Sequence, residues 1–174
     1  MQNPALLSPL NFRGQIYILT KQIISRYINN PQTENYEVEL LLNYIRFYSG
    51  KCYMLSSCYS KIQEKVSDDL LAYIDSLIKN GGDLVGKGTF NDEAKDILFL
   101  SGLASLTNGG NTIFVIRDKT ENLDLDGTKH KDVLMGLNKL GVNSFSCTLI
   151  DIDSIANIIR SEKEFLDHIK NQYI

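Results

Sequence analysis

Apolar residues recur along the chain in two patterns, short β-rich runs and longer stretches with helical spacing. From Lys51 onward the two patterns alternate, which predicts a strand followed by a helix four times over. Helices of this length can connect parallel strands, so the alternation indicates a mainly parallel sheet with helices on both faces. The predicted strands are residues 51–55, 83–85, 112–116 and 143–150.

Local signals mark the ends of the predicted helices. Ser60 begins a capping box, before a helix that ends at the two glycines of residues 81–82. Asn91 is predicted to cap the next helix. A further helix is predicted over residues 131–140, and a second capping box at Ser161 indicates two helices in tandem at the C-terminus.

Residues 1–50 carry an irregular arm followed by further helical patterns. The apolar spacing over residues 15–28 predicts a helix, and a strand over residues 15–19 followed by a shorter helix is the alternative. Thr33 can cap a second helix. We expect this segment to pack on an α/β domain of residues 51–174, within one globular unit. Its helices are expected to cover an edge of the sheet or to form a homodimer surface.

Together these patterns predict a fold class. We expect a three-layer α/β/α fold, Rossmann-like or flavodoxin-like, with a mainly parallel sheet of four or five strands. An N-terminal helical segment is predicted to precede that sheet. Right-handed crossovers then follow from the twist of the strands.

Composition and charge narrow the class of protein. The 174 residues are 43% hydrophobic and 22% charged, which is typical of one globular domain. The net charge of -3 and the pI of 5.4 do not favour nucleic acid as a partner. The start lacks a signal-peptide pattern, and no apolar run reaches the roughly 18 residues of a membrane span. Three cysteines without C-x-x-C spacing are typical of reduced thiols, so we expect a soluble, cytoplasmic protein in which Cys58 is buried.

The predicted sheet also indicates where a ligand would lie. In open parallel sheets, ligands bind outside the carboxyl ends of the strands, at the topological switch point. This rule selects the loops at residues 56–58, 87–91, 117–128 and 151–153. We expect a nucleotide or another small anion to bind there, or else a protein partner. The predicted ligand-binding residues are Ser56, Ser57, Thr89, Asn91, Arg117, Asp118, Gly127 and Thr128.

No motif for a cofactor or a metal is complete. Residues 86–92 read G-K-G-T-F-N-D and lead into a helix start, where backbone N–H groups can hold a phosphate. The run is neither G-x-G-x-x-G nor a Walker A motif, and Asp92 and Glu93 would repel an anion. Residues 122–127 match the first half of a calcium-binding EF-hand loop, but Val133 stands where that loop needs a glutamate. The sequence therefore predicts no metal site and leaves the cofactor unknown.

Carboxylates near the predicted strand ends are the catalytic candidates, namely Asp118, Asp132 and Asp151. The run D-G-T-x-x-x-D over residues 126–132 resembles a segment of nucleoside deoxyribosyltransferase-like proteins. In that family a D-x-G-T-x-x-E run binds the sugar and supplies a carboxylate nucleophile, so the resemblance implies that Asp132 attacks an anomeric carbon. The S-S-C-Y of residues 56–59, after the first predicted strand, is a second segment that resembles this family. Asp132 stands where the family has glutamate, and the spacing differs.

Two classes of function follow. A regulatory, ligand-binding or protein-interaction domain is favoured, because the sequence shows no serine triad, no nucleophile elbow and no other complete catalytic constellation. The alternative is a small enzyme that acts on nucleotides or nucleic acid, by N-glycosidic chemistry or as a metal-dependent nuclease. For an enzyme, we expect Asp118, Asp132 and Asp151 to lie in one pocket. A nuclease would bring together the carboxylates of Asp92, Glu93, Asp96, Asp118 and Asp151.

Overall fold

A computed structural model of the protein describes residues 12–29, 36–55, 58, 90, 92–110 and 112–173. The strands in these ranges are β1 (Ile16–Leu19), β2 (Lys51–Met54), β3 (Ile113–Arg117) and β4 (Cys147–Asp151). The helices are α1 (Lys21–Asn29), α2 (Tyr36–Phe47), α3 (Glu93–Thr107), α4 (Lys131–Lys139), α5 (Ile152–Ile159) and α6 (Lys163–Tyr173), with a 3-10 turn at Gly127–Lys129.

The four strands form one sheet in which every neighbouring pair is parallel. Their order across the described sheet is β2-β1-β3-β4. All of β1 and the first four residues of β3 are buried, as expected for strands that helices cover on both faces. The predicted α/β class with a mainly parallel sheet is therefore confirmed, and the arrangement is that of a three-layer α/β fold.

The N-terminal part of the chain differs from the first prediction. The single helix predicted over residues 15–28 is wrong, and the alternative of a strand followed by a shorter helix is confirmed by β1 and α1. β1 reads I-Y-I-L, a β-branched and aromatic run that suits a buried strand. Because β1 lies between β2 and β3, the chain enters the sheet before α1 and α2, and the N-terminal helical segment is not confirmed.

α2 turns its apolar side into the molecule. Val38, Leu41 and Ile45 are buried, and the helix packs against α5. This is the inward-facing apolar stripe expected of a helix that covers a sheet. This apolar side is buried within the protomer. The homodimer through the N-terminal helices stays a prediction.

The helix ends agree with the prediction in part. The C-terminal stretch divides into α5 and α6, as predicted. The N-cap of α3 is Asp92, whose carboxylate accepts a hydrogen bond from Lys95 N at 3.0 Å, so the cap predicted at Asn91 is wrong by one position. Asn91 itself, Thr33 and the elements predicted over residues 60–85 lie outside the described residues.

The predicted burial of Cys58 is confirmed. Cys52 is buried as well, and Cys147 is half-buried. Burial raises the pKa of Cys147 to about 11, which leaves little of the reactive thiolate at neutral pH. Within the described ranges, none of the helices combines the length and the apolar character that a membrane crossing requires.

The strand order creates a topological switch point. From β1 the chain adds β2 on one side, whereas β3 and then β4 are added on the other side of β1. The crevice between the carboxyl ends of β1 and β3 is where doubly wound sheets bind their ligands. Residues 20–21 and 118–121 follow these two strand ends.

Candidate functional site

Thr20 lies at the centre of the switch point. It follows β1 directly, is fully buried, and its N–H donates to the carbonyl oxygen of Ile116 at the end of β3, at 3.2 Å. Its hydroxyl accepts from the Ile23 N–H at 3.4 Å, and its carbonyl accepts from the Ile24 N–H at 3.1 Å. Thr20 thus caps α1, and it holds that helix start against β3.

A carboxylate from a different helix completes the start of α1. Glu93 stands in the first turn of α3, and its Oε2 accepts a hydrogen bond from the backbone N–H of Lys21 at 2.7 Å. Lys21 is the first residue of α1. The first N–H groups of a helix lack partners within the helix and favour negative charge. In this protein the Glu93 carboxylate supplies that charge.

Glu121 is the second carboxyl group at the switch point. It is only 8% exposed, and its Oε1 accepts from the Thr20 hydroxyl at 2.7 Å and more weakly from the Asp118 N–H at 3.4 Å. Its Oε2 is buried and accepts no hydrogen bond from the described residues. Glu93 lies close enough to Glu121 to interact with it electrostatically and by hydrogen bonding.

The surroundings of Glu121 favour its neutral form. Burial raises the pKa of Glu121 to about 7, and the neighbouring Glu93 charge adds to the rise, while the hydrogen bond from Thr20 opposes it. Near neutral pH, Glu121 therefore exchanges a proton easily. When it is protonated it can donate to the Glu93 carboxylate, and when it is ionised two like charges meet in a poorly solvated place.

The loop that carries Glu121 is held by Arg117. One guanidinium nitrogen, Nη1, donates to the carbonyl oxygens of Asp118 at 3.4 Å, Lys119 at 3.2 Å and Glu121 at 2.8 Å. The predicted ligand-binding role of Arg117 stays a prediction, but Nη1 already donates to three carbonyl oxygens of its own loop. Its effect in this structure is to fix the backbone on which Glu121 stands.

Asp118 also has local partners. Its Oδ1 accepts from both the N–H and the hydroxyl of Thr120 at 3.1 Å, and its Oδ2 lies 3.4 Å from Arg26 Nη1. The backbone hydrogen bond from Thr120, with help from Arg26, lowers the pKa of Asp118. Asp118 is therefore an ionised residue that shapes the loop between β3 and Glu121.

The other two predicted catalytic carboxylates lie at helix starts. Asp151 caps α5 and accepts from the N–H of Ser154 at 2.8 Å and from its hydroxyl at 3.0 Å. Asp132 is exposed in the first turn of α4 and pairs with Lys95 Nζ at 2.8 Å, an interaction that lowers the pKa of Asp132. Asp118, Asp132 and Asp151 share no hydrogen-bonding partner among the described residues.

Gly127 and Thr128 belong to a different part of the surface. Thr128 is bonded to Asp126, whose Oδ1 accepts from its N–H at 3.0 Å and its hydroxyl at 2.8 Å. Both predicted residues line a cavity of about 570 Å³ beside the edge strand β4, separate from Thr20, Glu93 and Glu121. The cavity is lined by Leu98, Leu125, Asp126, Gly127, Thr128, Leu134, Asn138 and residues 142–147.

In the half EF-hand motif, the acidic side chains are bonded to other groups of the protein. Asp124 accepts from the Asp126 N–H at 3.0 Å and pairs with Lys129 Nζ at 2.9 Å. Within the described ranges, no three His, Cys, Asp or Glu residues group closely enough to hold a metal ion. The remaining predicted binding residues, Ser56, Ser57, Thr89 and Asn91, lie outside the described residues.

Thr20, Glu93 and Glu121 are the residues that sequence reasoning did not select as a site. The sequence indicates Glu93 only as a group that repels anions or as one of several nuclease carboxylates, and Glu121 is one of several acidic residues in the polar loop after β3. Thr20 was hidden by the wrong assignment of β1 to a helix. The available signal was the strand alternative at residues 15–19, which would have put Thr20 at a carboxyl end.

The fold and the site together define a doubly wound α/β protein with an acidic switch point. Comparison with known proteins found no matching family model, no similar curated protein and no similar solved structure. The function is therefore argued from the chemistry of the site.

Proposed function

We propose that the protein is a ligand-binding α/β domain, and that it binds a small polar molecule at the switch point between β1 and β3. The observation that carries this proposal is the Glu121 carboxyl group, which is 8% exposed and has a buried oxygen that finds no hydrogen-bond donor among the described residues once the group is ionised. Nearly all buried polar atoms in proteins have a partner, so an atom without one needs an explanation. A hydrogen-bond donor on a ligand would be that partner.

The position supports the same proposal. In doubly wound sheets the crevice at the switch point is the usual ligand site, because the helices on the two sides diverge there. Glu121 also has a perturbed pKa with an identified cause, and such groups are concentrated at functional sites. A hydrogen bond between a ligand donor and a charged carboxylate contributes about 1.5 to 3 kcal/mol, enough to dominate the binding of a small molecule.

The test is a thermal-shift screen with sugars, nucleosides, nucleotides and small amines at pH 8, where Glu121 is ionised. A compound that binds only the folded protein raises the melting temperature. We expect at least one hydroxyl- or amine-bearing compound to stabilise the wild type, and Glu121→Gln to lose that effect while its circular dichroism is unchanged. The matched control is Asp124→Asn, an exposed carboxylate of the same connection, which should keep the effect.

Two outcomes would contradict the proposal. One is that no small polar compound stabilises the wild type. The other is that a stabilising compound acts equally on the wild type and on Glu121→Gln, which would place its site elsewhere. The cavity beside β4 is the first alternative location, and Asn138→Leu would test it, since Asn138 lines that cavity.

A second candidate function, a small acid–base enzyme, is supported by one specific observation. Glu121 has a pKa near 7 and stands beside Glu93, and a carboxyl group that exchanges its proton near neutral pH can act as a general acid or base. In this proposal the catalytic carboxylates are Glu93 and Glu121. Asp132, which the resemblance to deoxyribosyltransferases implies, is exposed and bonded to Lys95.

Release of free base from nucleosides and deoxynucleosides, followed by liquid chromatography, tests the enzyme proposal. We expect Glu121→Gln to reduce the rate by about 100-fold or more, the usual contribution of a general acid or base. Asp132→Asn should keep most of the activity. The reverse result would favour Asp132 as the nucleophile. If the wild type releases no base, the enzyme proposal is wrong and only the ligand-binding proposal remains.

A further inference from the structure

We propose that a groove beside Tyr36 binds a short acidic segment of a partner protein, anchored by one large apolar side chain of that segment. The groove consists of two adjoining cavities, lined by α2, by α6 and by the turn that joins α5 to α6. Tyr36 and Ile169 line both cavities, so the two form one surface feature. None of the described lining residues belongs to the switch point, so this is a second site that stands independently of the proposed ligand.

The first cavity is the apolar part of the groove. It has a volume of about 330 Å³, and Tyr36, Leu40 and Ile169 form its apolar wall. Pockets of roughly 300 Å³ and more hold small organic groups, so this one has room for a leucine or phenylalanine side chain. The half-buried Glu39 carboxylate also lines the cavity and can accept a hydrogen bond from a backbone N–H of the bound segment.

Tyr36 lies at the boundary between the two cavities and is held in place there. It is 60% exposed, and the guanidinium of Arg160 lies over its ring, 5.6 Å from the ring centroid. Arg160 is fixed in turn, because its Nη1 donates to Asn157 Oδ1 at 3.0 Å. An exposed ring that is already fixed loses little conformational freedom when a partner covers it, and tyrosine is enriched at the centre of protein interfaces for this reason.

The second cavity is the basic part of the groove. It has a volume of about 420 Å³, and its described lining carries three cations, Arg160, Lys163 and Lys170, against one carboxylate, Asp167. The net charge of this lining is therefore +2, although the whole chain carries -3. Neither lysine forms an ion pair with a described residue, and Arg160 pairs with Glu37 at a distance of 3.7 Å. The cavity thus has a surplus of positive charge that attracts anionic groups.

These features together favour one kind of partner. A peptide with an apolar anchor among Asp or Glu residues would fill the apolar cavity and place its carboxylates opposite Lys163 and Lys170. A second copy of the chain fits less well, because a twofold interface would bring the two basic cavities together. A nucleic acid also fits less well, since the Glu39 and Asp167 carboxylates would face its phosphates.

Fluorescence anisotropy with labelled peptides tests the proposal on the full-length protein. The acidic probes are peptides of about ten residues in which one phenylalanine or leucine stands among glutamates, at a different position in each probe. Each has a basic twin with lysine in place of every glutamate. We expect at least one acidic probe to bind at least tenfold more tightly than its basic twin, and its binding to weaken as the salt concentration rises.

Charge reversal tests the basic cavity. Lys163→Glu/Lys170→Glu should weaken binding of that acidic probe at least tenfold and should allow its basic twin to bind instead. Lys131→Glu/Lys139→Glu is the matched control, because it makes the same change of charge at two exposed lysines of α4 and should leave binding within about twofold of the wild type. If the first double variant does not fold, Lys163→Gln/Lys170→Gln replaces it, with the same loss of the acidic probe expected.

Removal of the ring tests the apolar cavity. Tyr36→Ala should weaken binding of the acidic probe at least tenfold, as expected for a central aromatic contact. Met135→Ala is the matched control, since Met135 is 61% exposed on α4 and should not affect binding. Circular dichroism and the urea midpoint of each variant show that the comparison is between folded proteins.

Four results would overturn the proposal. The first is that no acidic probe binds, or that every acidic probe binds no better than its basic twin. The second is that Tyr36→Ala and the double lysine variants bind as the wild type does. The third is a wild type that dimerises in analytical ultracentrifugation while Tyr36→Ala stays monomeric, which would assign the groove to a second copy. The fourth is labelled single-stranded DNA that binds more tightly than any acidic probe and is lost in Lys163→Glu/Lys170→Glu, which would assign the groove to nucleic acid.

Discussion

Replacing Glu121 with glutamine should make the folded protein more stable at pH 8, and by much less at pH 5. Glutamine is the closest neutral mimic of a protonated glutamate. Its carbonyl oxygen can accept from the Thr20 hydroxyl, as Glu121 Oε1 does at 2.7 Å, and its amide can donate to the Glu93 carboxylate. The variant therefore keeps the contacts of the neutral form at every pH.

The magnitude follows from the difference in pKa between the two states of the chain. Burial raises the pKa of Glu121 from an ordinary 4.5 to about 7 in the folded protein. The folded state thus holds this proton more tightly than the unfolded state, so stability is unaffected below the unfolded pKa and falls as the pH rises from there to the folded pKa. A tenfold change in a protonation equilibrium is worth about 1.4 kcal/mol, so the loss is nearly complete above about pH 7 and amounts to about 3 kcal/mol.

Urea denaturation of the wild type and Glu121→Gln at several values between pH 5 and pH 8 measures this effect. Other titrating groups are common to both proteins, so the difference in the free energy of unfolding isolates Glu121. We expect the difference to grow to about 3 kcal/mol in favour of the variant at pH 8. Asp124→Asn, an exposed control, should run parallel to the wild type. A constant difference between Glu121→Gln and the wild type would refute the reasoning.

Two further predictions concern stability away from the site. Glu162 is buried and accepts from Arg13 Nε at 3.1 Å, so Glu162→Gln should lower the free energy of unfolding at pH 7 by about 2 kcal/mol. Burial alone would raise the pKa of Glu162, but the hydrogen bond from Arg13 lowers it, so this stabilisation is lost as the pH falls through the folded pKa and the gap to the wild type should narrow in acid denaturation curves. Gly102→Ala places a methyl group 2.6 Å from Leu137 Cδ1 where α3 packs on α4, and thermal unfolding should show a loss of about 1 to 3 kcal/mol.

Much of the fold could be predicted from local patterns. The strands over residues 113–117 and 147–151 and the helix that begins at Lys131 agree with the sequence to within a few residues, because apolar periodicity and capping residues are local signals. β1 was the difficult element. Its four buried residues are followed at once by the apolar positions of α1, so the two elements together imitate one longer amphipathic helix.

The site was harder to predict than the fold, for two physical reasons. Strand order is set by contacts between distant parts of the chain, so the neighbourhood of β1 and β3, and with it the meeting of Thr20 and Glu121, cannot be read from spacing. Burial of a charged residue is equally non-local. Glu121 stands in a run of polar residues that is typical of a solvated turn, yet the loop folds back and Glu121 is 8% exposed.

The same energetics explain why Glu121 is better understood as a functional residue than as a structural one. A folded protein is typically more stable than its unfolded state by about 5 to 15 kcal/mol, so a loss of about 3 kcal/mol above neutral pH is a sizeable fraction. Glutamine would keep the bond to Thr20 and add one to Glu93 without that loss. Structure alone therefore gives no reason for a carboxyl group at this position. An ionisable oxygen that accepts a ligand donor, or that exchanges a proton near pH 7, is what glutamate offers and glutamine does not.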